Sequence, residues 1–298
     1  MRFLGKSLIT LIFAISTIFF ALRLTPGDPV ERLLGPEAKI EEVNKYRTQL
    51  GLDQSLVRQY GNFLKGVFAF DLGKSFFKKK DVVELLSKRM KPTMTLALLS
   101  ILLSTPIGVF IGVVSALRKS KLTDSAIRMA TLGLLSFPIF SLAPLLVLVF
   151  AVKLGLFPVS EWSSWKHMVL PVITLVLPLS SVVTRVMRNK FLEENNQLWV
   201  LVLHAKGMFK KDIVLRTVKI CMPTILNVVA IQLSVVLAGT MITETIFDIP
   251  GVGSLLFEAI GNRDYPIVQG VIAYSTVIYM LIYFFVDFLN EKLDPRIA

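Results

Sequence analysis

The residues able to do chemistry are few. The 298-residue chain holds one cysteine, Cys221, and two histidines, His167 and His204. A single thiol excludes an intramolecular disulfide and a thiolate metal cluster, and two imidazoles cannot supply a His-rich metal site. Two Gly-Lys-Ser triplets, Gly5-Lys6-Ser7 and Gly73-Lys74-Ser75, match the end of a phosphate loop. Such a loop needs another glycine five residues earlier, so that backbone amides can wrap a phosphate. The first triplet lies too close to Met1 to have one, and the second has Phe68 there. No His-Glu-x-x-His or Gly-x-Ser-x-Gly pattern occurs, and the scattered hydroxyls lack a histidine at any recognisable spacing. No catalytic, metal or cofactor site is expected on this chain.

The elements that would position such residues are unlike those of a soluble enzyme. Hydrophobic residues make up 54% of the chain and charged residues 18%, with a mean hydropathy of +0.66. The apolar residues fall in charge-free runs long enough to cross a bilayer: Ser7–Leu22, Pro92–Leu117, Met129–Val152, Met168–Thr184, Met222–Thr243 and Tyr265–Val286. Six membrane spans are expected. The first could be a cleaved signal peptide, but no small-x-small site follows Phe20, and a retained signal anchor fits better.

The net charge of +12 suits either nucleic acid or membrane flanks, and placement decides between them. With the N-terminus in the cytoplasm, Arg2, Lys6, Arg118, Lys119, Lys121, Arg128, Lys292, Arg296 and the cluster within 185–219 share one side. The opposite short loops carry Lys153, Lys166 and Arg263. Both termini are therefore expected in the cytoplasm of a cell bounded by an inner membrane. The basic loop has no stacking aromatic beyond Trp199, so no nucleic-acid partner is expected.

Residues 25–91 would lie outside. Ile40, Val43 and Leu50 space one amphipathic helix and Leu56, Tyr60, Phe63 and Val67 another, with Gly51 between as a stop. Asp81 and Glu84 resemble a capping pair before Val82–Met90. Two readings stand, a small folded cap or interfacial helices lying on lipid. Within the membrane, Ser104, Gly108 and Gly112 make a small-xxx-small stripe. Pro171, Thr174, Pro178 and Ser181 share one face of the fourth span, which must look toward a neighbouring helix or a watery passage. Gln232, Gly239 and Thr243 lie near one face of the fifth. No ionisable residue sits at a span centre, which argues against a proton-coupled carrier and against an intramembrane enzyme. A passive channel stays open.

The loop between the fourth and fifth spans carries the most information. Asn195 or Asn196 can cap a short helix over Gln197–Lys206, with Trp199, Val202 and Leu203 on one side and Gly207 ending it. Such a helix either lies on the membrane or fits a groove on a partner. The run Leu203-His204-Ala205-Lys206-Gly207-Met208, followed by Lys210, Lys211, Asp212, Ile213, Leu215, Arg216 and later Pro223, resembles the coupling loop of ABC importer permeases. Further stretches agree: Arg23-Leu24-Thr25-Pro26-Gly27-Asp28-Pro29, Glu244 through Gly253, Arg263-Asp264-Tyr265-Pro266 with Gln269-Gly270, and Leu293-Asp294-Pro295-Arg296-Ile297. The chain thus resembles the B-type permeases of dipeptide, oligopeptide and nickel importers, the DppB/OppB family, over nearly its whole length. It departs in having Leu201-Val202-Leu203-His204 where that family usually has Thr-Ala-Arg before Ala-Lys-Gly.

The resemblance implies an all-α, six-span type I importer permease with a MetI-like core. Its parts would be an N-terminal span (1–24), a helical extracytoplasmic segment (25–91) and a core (92–298) with a coupling loop at 185–221. It further implies a second homologous permease, two cytoplasmic ATPases holding ATP and Mg, an extracytoplasmic binding protein and membrane lipid as partners. Coupling would fall to Trp199, Val202, Leu203, His204, Ala205, Lys206, Gly207, Met208 and Asp212. The path or outer gate would fall to Gln232, Thr243, Glu244, Pro250, Gly251 and Gly253. Peptides are the cargo it implies, with nickel or another metal chelate as the rival.

Overall fold

The structure is a computed structural model that describes residues 2–293, with side chains over 8–289 apart from Ala238 and Gly239. The terminal motif residues 294–297 lie outside the described residues. Among these residues the chain is helical, with an isolated antiparallel bridge between Lys74 and Asp81. The helices are α1 (Arg2–Leu24), α2 (Pro29–Leu34), α3 (Ile40–Gln49), α4 (Leu56–Phe68), α5 (Val82–Leu117), α6 (Leu122–Ser136) and α7 (Ile139–Leu146). A π-helical stretch, Val147–Lys153, continues α7, and α8 (Trp165–Asn195), α9 (Leu198–Ala205), α10 (Lys210–Ile246), α11 (Val252–Asn262) and α12 (Tyr265–Leu293) follow.

Val82–Leu117, Trp165–Asn195, Lys210–Leu237 and Tyr265–Leu289 are each long and apolar enough to cross a membrane; Leu8–Leu24 is a shorter apolar helix. The run Met129–Val152, expected as one continuous span, is instead broken: its two arms, Leu122–Ser136 and Ile139–Lys153, meet at 102°. The cause is Pro138. It has no N–H to donate and drives the preceding Phe137 into extended backbone (φ −85°, ψ 116°), which ends α6. The Pro138 carbonyl then accepts from Ser141 N (2.9 Å) and starts α7. Pro144 lies inside α7 and cannot donate to its own preceding turn, and the wider π-helical turns begin three residues later.

The chain forms two compact units, Met1–Thr93 with Pro250–Leu281, and Met94–Ile249 with Ile282–Ala298. In the second, α5 lies directly on α8. A Cβ at Gly108 would come within 2.6 Å of Val183 Cβ and 2.8 Å of the Ser180 carbonyl oxygen; one at Gly112 would meet Met187 Cβ and the Thr184 carbonyl oxygen at 2.8 Å. The small-residue stripe is thus the contact itself. Pro171 and Pro178 break the α8 ladder, and Thr174 and Ser181 on the same face are buried. Their hydroxyls donate to the Leu170 and Leu177 carbonyls, both at 2.8 Å. Gln232 on α10 donates through Nε2 to the Leu179 carbonyl at 2.9 Å, which ties α10 to α8.

In the first unit, Val82 and Leu86 of α5 form a core with Val252, Leu255 and Ala259 of α11 and Ile267, Val268 and Val271 of α12. Both expected amphipathic helices of the 25–91 segment form, and Gly51 between them has φ +69°. Helix α4 docks through Tyr60 and Phe63 on Phe19 of α1, with ring centroids 5.1 and 5.6 Å apart. It therefore has a protein partner. Glu84 pairs with Lys88, one turn on, at 2.6 Å.

Candidate functional site

The stretch between α8 and α10 is built to hold a short helix away from the core. Helix α8 continues through residues 185–195 before Asn196 closes it, its amide bonded to the Glu193 carbonyl. Lys190 reaches Glu193 (3.0 Å) and Glu194 (2.9 Å), pairs one turn apart that favour this extension. The residue at the N-cap of α9 is Gln197, in extended backbone (φ −76°, ψ 153°) and with no side-chain cap bond, so the expected asparagine cap is not made. Asn196 is spent on ending α8 instead.

At the other end the expectation holds. Gly207 has φ +74°, its amide donates to the His204 carbonyl (3.0 Å), and Met208 donates to the Leu203 carbonyl (3.1 Å). These two bonds make a Schellman closure, for which a left-handed residue is needed and glycine carries no steric cost. Phe209 then turns the chain into α10, whose first turn includes Asp212.

Helix α9 hangs from a single buried residue, Val200, which is 3% exposed. Leu198 (79%), Leu201 (65%), Val202 (49%) and, beyond the turn, Phe209 (79%) present apolar surface. Trp199, Val202 and Leu203, expected on one side, do share a face: they line an open groove with Arg216, Lys219 and Ile220 of α10. His204, Ala205, Lys206 and Gly207 are exposed, as are Lys210, Lys211 and Asp212, while Met208 is half-buried. The result is an apolar knob with a mostly basic rim. Leaving that much leucine, valine and phenylalanine uncovered costs about 25 cal/mol per Å² relative to burial, so the surface is suited to a partner.

The six path candidates divide between the units. Gln232, Thr243 and Glu244 lie on α10 and are buried, at 6%, 0% and 0% exposure. Gln232 uses its Nε2 on Leu179, whereas its Oε1 and the Thr243 hydroxyl are buried without a hydrogen-bond partner. Gly239 lies between them on α10. Pro250, Gly251 and Gly253 form the start of α11: the Gly251 amide donates to Ser254 Oγ (3.1 Å), and Val252 N donates to Thr93 Oγ1 (2.8 Å). The second group thus forms a helix N-terminus within the first unit.

Two constellations were not anticipated as such. Asp124, 1% exposed, accepts from Arg188 Nε (2.7 Å), Arg188 Nη2 (2.8 Å) and Ser115 Oγ (2.6 Å), tying α6, α8 and the end of α5 together. In the sequence Arg188 is one more cation of the basic cluster within 185–219, and nothing in its neighbours marks the pairing. The second gathers the Arg23–Pro29 and Arg263–Pro266 motifs. Arg263, with left-handed φ +58°, donates to the carbonyls of Pro26 and Gly27. Asp264, 2% exposed, accepts from Ser75 Oγ (2.5 Å) and Phe76 N (3.2 Å). Ser75, the last residue of a Gly-Lys-Ser triplet, thus serves a turn. Among the described residues no group of His, Cys, Asp and Glu could hold a metal ion.

Comparison with known proteins places this arrangement. Residues 108–298 match the family described as the binding-protein-dependent transport system inner membrane component, and residues 1–97 match its N-terminal region. A probable peptide ABC transporter permease protein, y4tP of Sinorhizobium fredii, is 34% identical over 94% of this chain and 92% of its own length. The glutathione transport system permease protein GsiC of Escherichia coli O6:H1 is 31% identical over 99% of this chain and 97% of its own. In three dimensions a chain of the inward-facing MetNI methionine ABC transporter matches with a TM-score of 0.59 at 16% identity, covering 71% of this chain and 97% of that one.

Proposed function

Because the chain belongs to the binding-protein-dependent transport inner membrane component family, and so is the permease component of an ABC importer, we propose that it carries peptides and is driven through α9. The family places it in a transporter complex with an ATPase and a binding protein, and it is a membrane subunit without enzymatic activity of its own. The observation that carries the coupling role is the α9 knob: Leu198, Leu201 and Val202 exposed beside a basic rim, on a helix joined within a few residues to two long apolar helices. A soluble subunit that buries this surface can pull on α8 and α10 together. ATP-driven closure of two ATPases would then shift the knob and tilt the helices between two states.

In this reading both termini and α9 face the cytoplasm of a bacterial inner membrane, as the Lys and Arg distribution favours. ATP and Mg sit on the ATPases, and a homologous permease supplies the other wall of the passage. Peptide as cargo rests on the relative from Sinorhizobium fredii and on the glutathione permease, glutathione being itself a small peptide. Gln232 and Thr243 would line the passage, and the 250–253 turn would stand at its outer mouth.

The test is Gly207→Glu in the assembled transporter. It places a charge at the docking surface, where a Cβ would meet nothing within 4 Å. The complex should still assemble and ATP-driven peptide uptake should be lost. Because φ +74° strains any side chain, Gly207→Asn is the control: asparagine tolerates the left-handed region, and uptake should persist. Normal uptake by Gly207→Glu at equal expression would overturn the coupling role.

A further inference from the structure

The first unit contains an open cavity of about 360 Å³, walled by α1, α4, the turns on either side of α4 and the start of α12. Its lining includes Arg23, Lys74, Tyr265 and Gln269, with Asp71 as the one carboxylate among the described residues. Arg23 is half-buried, and all its partners are uncharged. Its Nε donates to Gln59 Oε1 (2.9 Å) and Nη1 to the Phe19 carbonyl (3.2 Å), and its guanidinium carbon lies 3.5 Å from the Phe19 ring centroid and 5.5 Å from that of Tyr265. Among the described residues no carboxylate pairs with it. On the same cavity, Gln269 is 6% exposed and its Nε2 has no acceptor. Asp71 gives one oxygen to the Gly73 amide (2.9 Å), which leaves two cations facing a single, already engaged carboxylate.

A guanidinium drawn partly out of water without a counter-ion and a buried amide donor without an acceptor are both costly states. They are independent features of this cavity, and both call for a ligand that only accepts. A carboxylate answers them best, because its two oxygens match the planar fork of a guanidinium. We propose that this cavity binds the carboxylate end of a small peptide, with Arg23 as its charged anchor. The volume lies within the range of small-molecule sites, and Phe63 offers apolar wall for a side chain. The source of the carboxylate rests on the peptide reading above.

The experiment is calorimetric titration of the purified full chain, in nanodiscs of phosphatidylcholine, with alanyl-alanine, its C-terminal amide and inorganic phosphate. Alanyl-alanine should bind saturably, and the amide roughly ten- to a hundredfold more weakly, the range of one lost charge-assisted contact. Arg23→Gln should show the same loss. Should that variant aggregate, Lys74→Gln decides, since Lys74 is exposed and its loss cannot unfold the chain; binding should fall several-fold. Equal binding of peptide and amide, no binding of either, unchanged binding in Lys74→Gln, or displacement by equimolar phosphate would each overturn the proposal. No ATP or ATPase is present, so failure here leaves the coupling reading intact, whereas normal uptake by Gly207→Glu leaves this one intact.

Discussion

Replacing Asp124 by asparagine removes a charge while keeping the shape of a side chain that is 1% exposed. What is left behind is Arg188, 15% exposed, facing a neutral amide whose single oxygen can still accept from its Nε and from Ser115 Oγ, while the oxygen its Nη2 reached at 2.8 Å is replaced by a donating NH2. Breaking a buried ion pair by removing one partner costs about 3–5 kcal/mol, because the remaining charge stays desolvated. Arg188 keeps some contact with water, and Arg128, 3.7 Å away and 52% exposed, loses little. The lower end, about 3 kcal/mol, is therefore expected. At roughly 2–4 °C per kcal/mol for a chain of this size, the melting midpoint in detergent should fall by about 6–12 °C. The assay is a thermal scan of Asp124→Asn, Arg188→Gln and the double variant, all at one scan rate because such unfolding is often irreversible. The double variant should be little worse than either single one. If the two single effects add to within about 0.5 kcal/mol, the pair is not the joint between α6 and α8 that its geometry indicates.

Gly108→Ala should destabilise the chain by about 1–3 kcal/mol, since its Cβ would meet Val183 and a backbone oxygen that cannot yield, whereas Gly133→Ala, with nothing within 4 Å, should be neutral or stabilising; melting scans of both check the α5–α8 contact. Gly27→Ala should cost about 1–3 kcal/mol, because φ is +113° and the new Cβ lies 2.5 Å from the Arg263 guanidinium carbon. That cost should shrink in an Arg263→Ala background, and equal costs in both would refute the clamp. Cys221 is 0% exposed, so a maleimide should label the native chain only after denaturation. A Lys206→Cys chain should then be modified at position 206 alone, and by an impermeant reagent only when membranes are opened; labelling in intact cells would place α9 on the wrong side.

Much of the architecture could be read without coordinates. The charge-free runs foretold the long helices, the stripe at Gly108 and Gly112 foretold close packing, and Gly207 foretold the end of α9. Each of these depends on residues next to one another in the chain. The broken third span was legible too, since Pro138 dictates an extended Phe137, but a count of missing charges does not weigh a proline. The asparagine cap failed for a different reason. Asn196 was free to cap α9 in isolation, and the further extension of α8 committed it elsewhere.

What composition and local pattern determined is that this chain lies in a membrane and is helical, because solvent preference and helix start and stop signals act over a few turns. Which polar groups find one another was decided by the tertiary structure alone. Asp124 meets Arg188 across 64 positions, Ser75 meets Asp264 across 189, and Arg23 lines a cavity with no carboxylate bonded to it among the described residues. Hydrogen bonds and hydrogen-bonded ion pairs need their partners within about 3 Å in the right orientation, and separations of that kind exist only once the helices have packed.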